Sequence, residues 1–109
     1  MRIVWTQTAE LSFEAEIDFI LKKWTNKEAT SFINLVEEVL EQLKKFPLLG
    51  RLFENDNMYL VISKQTTLIY RVLNEKTLEL LLLWNNKQNP ENLEKAIKNL
   101  KVKSNLLLQ

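Results

Sequence analysis

The sequence predicts one α+β domain in the order β-α-α-β-β-β(-α), with an antiparallel sheet covered on one face by a helical hairpin. Three observations carry that prediction. Residues 11–43 repeat their apolar side chains at steps of three and four, the period of amphipathic helices. Behind them come three short apolar runs without Gly or Pro, Met58 to Ser63, Thr66 to Leu73 and Thr77 to Trp84, which read as strands. The breaks between these runs, Lys64-Gln65 and Asn74-Glu75-Lys76, are too short for a parallel crossover and fit hairpins.

Taken in order, Arg2 to Thr6 reads as a short strand that pairs in the later sheet. Thr8 offers a helix N-cap, with Glu10 in the first turn complementing the helix dipole. Phe13, Ile17, Ile20, Leu21 and Trp24 form the apolar face of this first helix, and Glu14, Glu16, Asp18 and Lys22 the polar face. Thr25 and Glu28 have the spacing of a capping box, so a second helix starts at once. Its stripe is Ala29, Phe32, Val36, Val39, Leu40 and Leu43, and the tight joint makes the two helices an antiparallel pair.

Pro47 ends the second helix at Phe46. Gly50, the sole glycine, predicts either a positive φ or a close approach of another group. Glu54 to Asn57 reads as a polar loop entering the sheet. In the last strand, Leu78, Leu80, Leu82 and Trp84 share a face expected to meet the helices, opposite Thr77, Glu79, Leu81 and Leu83. In the middle run Leu68, Tyr70 and Val72 share one face, and Arg71 lies on the other, less buried one, because an unpaired buried guanidinium is expensive. Asn89 and Pro90 are a favoured start for a C-terminal helix over about 90–101, with Leu93, Ala96, Ile97 and Leu100 on one side, followed by a tail at 102–109.

Length and composition narrow the function classes. One domain spans the 109 residues, and 46% hydrophobic content suffices for a core. Without Cys there is no disulfide framework or thiolate metal site, and without His the commonest general base and metal ligand are missing. No cofactor or metal is expected. The longest apolar run is far short of a membrane span, and no signal-peptide layout opens the chain, so a cytoplasmic location is expected. The net charge of +1 is unevenly spread: residues 1–46 carry 6 basic and 8 acidic groups, residues 47–109 carry 9 and 6. A mildly basic sheet half permits an anionic partner.

Five local words then bear on family. They are IVWT in the opening strand, Ala9 with Phe13 to Ile20 on the first helix, FPLLGR at Phe46 to Arg51, LIYRV at Leu68 to Val72, and LLLWNNKQNP at Leu81 to Pro90. In their order and spacing over residues 1–90 they resemble the RelE/ParE superfamily of type II toxin–antitoxin toxins, in its ParE-like, plasmid-stabilisation branch. The resemblance implies a growth-inhibiting cytoplasmic toxin neutralised by a co-encoded antitoxin. ParE-like members inhibit DNA gyrase, whereas RelE-like members cleave mRNA on the ribosome, so an enzyme here would be an endoribonuclease (an mRNA interferase). An inactive homologue that only binds partners is a further alternative, because one fold hosts all three. Carried over by position, Arg71 matches the basic residue of the third strand, Arg51 the residue at the sheet entry, and Lys87 the cation of the closing motif. Relatives often have Arg where Met58 or Tyr59 stands, and some ribonucleases use a His that this chain lacks.

Cleavage of RNA through the 2′-hydroxyl needs a proton acceptor, a proton donor and positive charge on the phosphate. Arg51, Arg71 and Lys87 are the candidate phosphate and toxicity residues, Glu54, Glu79 or a perturbed Lys candidate acceptors, and Tyr59 or Tyr70 candidate donors or stacking groups. The structural alternatives are an ion pair of Arg71 with Glu79, a solvated Lys87, and core roles for Tyr70 and Trp84. Asn85, Asn86 and Asn89 read as turn and cap residues, and Glu37, Glu38 and Glu41 as a solvated helix face. Leu81, Leu83 and Leu106 to Leu108 are surplus apolar surface on which an antitoxin, or a second copy in a homo-oligomer, would pack.

Overall fold

The computed structural model describes residues 1–88, 91–93 and 95–98. Its order is β1 (Arg2–Trp5), α1 (Gln7–Lys23), α2 (Asn26–Lys45), β2 (Arg51–Phe53), β3 (Asn57–Val61), β4 (Thr66–Asn74) and β5 (Thr77–Asn85). Residues 91–93 and 95–98 are helical, within the helix expected after the sheet. Asn89, Pro90, Leu100 and the tail at 102–109 lie outside the described residues, so the cap and tail readings have no structural counterpart.

The sheet runs β1-β5-β4-β3-β2. Strands β3 to β5 form the expected antiparallel meander, β2 extends it by one strand, and β1 joins its β5 edge in parallel, with Ile3 opposite Leu78 and Trp5 opposite Leu80. Strand β2 was not foreseen; the segment 51–53 is three residues long and lacks a clear alternation. It pairs with β3 through a turn at Glu54–Asp56, in which Asn55 (φ 60°) and Asp56 (φ 66°) take the left-handed conformation that Asn and Asp tolerate.

The first helix begins two residues before the expected Thr8. Thr6 is its N-cap: the hydroxyl oxygen accepts from the Ala9 N–H at 3.1 Å and the hydroxyl donates to the Leu80 carbonyl at 2.8 Å. One side chain thus starts α1 and fastens it to β5. Thr25 and Glu28 open α2 as expected, with the Thr25 N–H donating to the Glu28 carboxylate at 2.9 Å. Of the α2 stripe, Ala29, Phe32, Val36, Val39 and Leu43 are buried as read, and Leu40 is part-buried against the same core.

The polar face assigned to α1 needs correction. Glu16 is buried, whereas Leu21 and Trp24 are each 42% exposed. The helix turns Ala9, Ser12, Phe13, Glu16 and Ile20 toward β5 and α2, one position round from the expected stripe. The cause lies in β5. Strand β1 stops at Trp5, so α1 covers the exposed β5 edge beyond it, and the Ser12 hydroxyl accepts from the Leu83 N–H at 3.0 Å.

Strand β5 also breaks its own alternation. Ile69 faces Leu82 and Tyr70 faces Leu80, leaving Leu81 as the extra residue of a β-bulge. Before the bulge, Leu78 and Leu80 face the helices; after it Leu83 does, while Leu82 and Trp84 turn to the opposite face. The expected Leu78-Leu80-Leu82-Trp84 face is therefore split. Two cores result. The larger lies between the helical hairpin and the sheet around Leu68, Tyr70, Leu78, Leu80 and Leu83. The smaller joins Ile69, Leu81, Leu82 and Trp84 to Leu93 and Ala96 on the far face.

Candidate functional site

Cross-strand partners share a face of the sheet. Arg51 lies opposite Tyr59, Tyr59 opposite Ile69, and Asn57 opposite Arg71, which itself faces Glu79. Arg51, Tyr59, Ile69, Arg71 and Glu79 therefore occupy the face turned away from the helical hairpin. Arg51 and Arg71 are two strands and two residues apart, on the order of 10 Å. Lys87 is not with them. It follows β5 at the far end, past Asn85, while Arg71 lies beside Glu79 near the start, which separates the two by roughly 20 Å.

Arg71 is held, not free. Its Nη2 donates to the Glu79 carboxylate at 3.1 Å, the ion pair weighed as its structural alternative, with the side chains 34% and 21% exposed. Its Nε is buried without an acceptor among the described residues. Beside it opens a cleft of about 500 Å³ lined by Leu48, Leu52, Met58, Val72, Leu73 and Asp56. Leu48, Leu52 and Leu73, which line that cleft, are 45–73% exposed, as are Phe46 and Leu49 in the segment that leads into the edge strand β2. This corrects the expected apolar surface, because Leu81 and Leu83 are buried, Leu83 by the turn of register at the bulge.

The tyrosines divide. Tyr70 is fully buried, its hydroxyl accepting from the Gly50 N–H at 2.8 Å and donating to the Pro47 carbonyl at 2.9 Å, so it fastens the α2–β2 loop and is removed from any surface chemistry. Burial pushes its phenol pKa up, against the opposing Gly50 hydrogen bond. Gly50 has no positive φ; it is required by the close approach of Tyr70 and the Tyr59 carbonyl. Tyr59 stays on the candidate face, half-buried beside the smaller core. Glu54 is an exposed turn residue.

At the other end of the sheet the asparagines act as tethers. The Asn86 amide donates to the Ser63 and Lys64 carbonyls (3.4 and 3.3 Å), and its oxygen accepts from the Thr67 hydroxyl at 2.6 Å. The Asn85 side-chain oxygen accepts from the Lys87 N–H at 2.9 Å. Asn85 also hydrogen-bonds Glu16, the buried acid that the sequence reading placed in solvent. Desolvation raises the Glu16 pKa and outweighs that hydrogen bond, and Oε2 has no partner among the described residues. No group of His, Cys, Asp and Glu suited to a metal ion occurs among the described residues, and no helix there is long and apolar enough to cross a membrane.

Solved structures of toxin–antitoxin proteins resemble this one, among them the following two. One is from a chromosomal ParDE toxin–antitoxin system of P. aeruginosa: 21% identity, TM-score 0.58, covering 78% of this chain and 95% of that one. The other is a YoeB/ParE toxin from Agrobacterium tumefaciens: 16% identity, TM-score 0.58, covering 79% and 99%. At such identities the likeness speaks for the fold. No curated protein matches the chain. The family model of the ParE toxin of the type II toxin–antitoxin system parDE matches residues 3–90, from Ile3 in β1 through β5, with Arg51, Arg71 and Lys87 inside the match: this chain belongs to the ParE toxin family.

Proposed function

We propose that the protein arrests growth by binding DNA gyrase in the cytoplasm, and that a co-encoded antitoxin neutralises it. The observation that carries this reading is the dispersal of the three candidate cations. Arg71 is paired with Glu79, Arg51 stands on the order of 10 Å away on the same face, and Lys87 is at the opposite end of the sheet. Such an arrangement suits recognition of a broad surface. Concerted proton transfer asks instead for an acid and a base within hydrogen-bond reach of one reacting bond. Glu79, the best-placed carboxylate, is engaged by Arg71, and Tyr70 is sealed in the core.

The antitoxin reading rests on membership of a toxin–antitoxin family and on the apolar surface around Phe46, Leu48, Leu52 and Leu73. A partner segment that lays apolar side chains there and pairs with the β2 edge would also reach the cleft beside Arg71.

A second reading, ribosome-dependent mRNA cleavage, is favoured by one observation, the sharing of a face by Arg51, Tyr59 and Arg71. The two are separated by assaying supercoiling by purified gyrase with the purified protein, alongside primer-extension mapping of transcripts after brief induction. Inhibited supercoiling with intact transcripts is the expected result. Unimpaired supercoiling with new transcript ends overturns the gyrase reading in favour of the nuclease.

A further inference from the structure

Strand β1 is an open edge of the sheet. Its even residues bond β5, as shown by the Arg2 N–H to the Lys76 carbonyl (2.7 Å) and the Thr6 N–H to the Leu80 carbonyl (3.2 Å). By alternation the backbone groups of Ile3 and Trp5 point outward, unpaired among the described residues. The edge carries no Pro and no bulge to block strand pairing, although it is only four residues long and begins with the charged Arg2. Alongside it runs a cleft of about 460 Å³ between β1 and α2, whose floor is Ile3, Trp5 and Leu40 and whose rim is Arg2, Glu37, Glu41 and Lys44.

The charge on that rim is polar along the strand. Helix α2 runs antiparallel to β1: Phe32, early in α2, stacks through Phe13 on Trp5 at the strand's C-terminal end. Glu37 therefore stands toward the Trp5 end, and Lys44 with Arg2 at the other. Among the described residues Glu37 and Arg2 form no ion pair, and Lys44 has only the exposed Glu41 one turn back. A surface with the unpaired Glu37 at one end, an apolar middle, and the unpaired Arg2 beside the Lys44–Glu41 pair at the other is complementary to itself after a two-fold rotation.

We propose that this edge is an interface between two copies of the chain. The β1 strands pair antiparallel across the two-fold axis, joining the two five-stranded sheets into one. Ile3, Trp5 and Leu40 of both copies close the cleft, and the Glu37 of each copy meets the Lys44 and Arg2 of its partner. The proposal is independent of the gyrase reading, since it uses none of Arg51, Arg71 or Lys87.

The test uses the full chain, with mass measured by sedimentation equilibrium over a wide concentration range. The wild type is expected to be a concentration-dependent dimer. Glu37→Lys and Lys44→Glu lie on the exposed outer turns of α2 and leave the fold intact, which circular dichroism verifies. Each alone sets like charges against each other at both ends of the interface and is expected to weaken the dimer roughly tenfold or more. Mixing the two variants restores opposite charges at both ends and recovers wild-type association as a heterodimer. Hydrogen exchange of the Ile3 and Trp5 amides is expected to slow with concentration in step with the mass. A chain that is monomeric throughout overturns the proposal, as does a dimer indifferent to both charge reversals. Protection of those two amides that is independent of concentration and vanishes on deletion of residues 99–109, or that arises only on adding the antitoxin, assigns the edge to another occupant and equally overturns it.

Discussion

Gly50→Ala isolates the joint between the helical layer and the sheet. Gly50 has an ordinary backbone conformation, so the substitution adds no φ strain and acts through sterics alone. A Cβ there falls 2.6 Å from the Tyr59 carbonyl oxygen, 2.8 Å from the Tyr70 hydroxyl and 2.9 Å from Tyr70 Cε1. Ordinary van der Waals contact begins near 3.4 Å, so the loop must retreat by about 0.8 Å from β3 backbone that cannot yield. Retreat breaks the two hydrogen bonds that join Tyr70 to Gly50 and Pro47. Overpacking of this kind costs about 1–3 kcal/mol and each lost hydrogen bond about 1 kcal/mol, together about 3–5 kcal/mol. Urea unfolding is expected to show a lowered midpoint at unchanged slope. Tyr70→Phe, which leaves the Gly50 N–H and Pro47 carbonyl unpaired, is expected to cost about 2 kcal/mol. Because both changes break the same two bonds, the double variant should lose less than the sum, by about 2 kcal/mol. A Gly50→Ala protein within about 0.5 kcal/mol of wild type, or strictly additive losses, would refute the close-approach argument.

Three further outcomes follow from the same geometry. Trp84→Ala empties the smaller core and is expected to cost about 3–5 kcal/mol, with faster hydrogen exchange in residues 91–98 than in α2, since Leu93 and Ala96 pack on that cluster and the hairpin does not. Arg71→Ala, expressed at matched levels, is expected to relieve growth arrest while changing stability by less than about 1 kcal/mol, because its ion pair is part-exposed; equal arrest removes Arg71 from the site. Glu16→Gln concerns pH. The folded chain raises the Glu16 pKa above its ordinary 4.5, so the native state takes up a proton before the unfolded state does. Stability from this group is fully present below pH 4.5 and is lost as pH rises through the raised folded value. Glu16→Gln should therefore be more stable than wild type at neutral pH and indistinguishable from it in acid; a gain that persists unchanged in acid contradicts the linkage.

Much of the fold was legible because its elements obey one period each. The α2 stripe from Ala29 to Leu43 and the Leu68-Tyr70 face of β4 are buried as their spacing requires, although Thr67 and Ile69 on the opposite face of β4, expected to be less buried, are buried too. The errors cluster where a tertiary contact overrides the local period. The Leu81 bulge flips the remainder of β5, and a run of leucines gives no sign of where a flip occurs. Glu16 is buried because α1 must cover the β5 edge beyond Trp5, a consequence of the short β1 that no residue of α1 announces. Strand β2 is too short to alternate visibly, although Asn55-Asp56 before an apolar run was an available turn signal. For the candidate site, alternation placed Arg71 correctly and the charge rule anticipated its pair with Glu79, but linear order could not show that Lys87 stands at the opposite end of the sheet.

The strand order bears on how partners coexist. Strand β2, with the exposed leucines and the cleft beside Arg71, is one edge of the sheet, and β1, with its self-complementary rim, is the other. Three strands lie between them, which at about 4.8 Å per step separates the edges by roughly 20 Å. A segment that pairs at β2 therefore does not compete for backbone groups with a copy that pairs at β1. Two toxin copies joined at β1 would present two β2 edges pointing outward, one for each antitoxin. Binding at the β2 edges is then independent of the β1 contact unless the partner itself bridges both, because a closed two-fold pair offers two equivalent β2 edges.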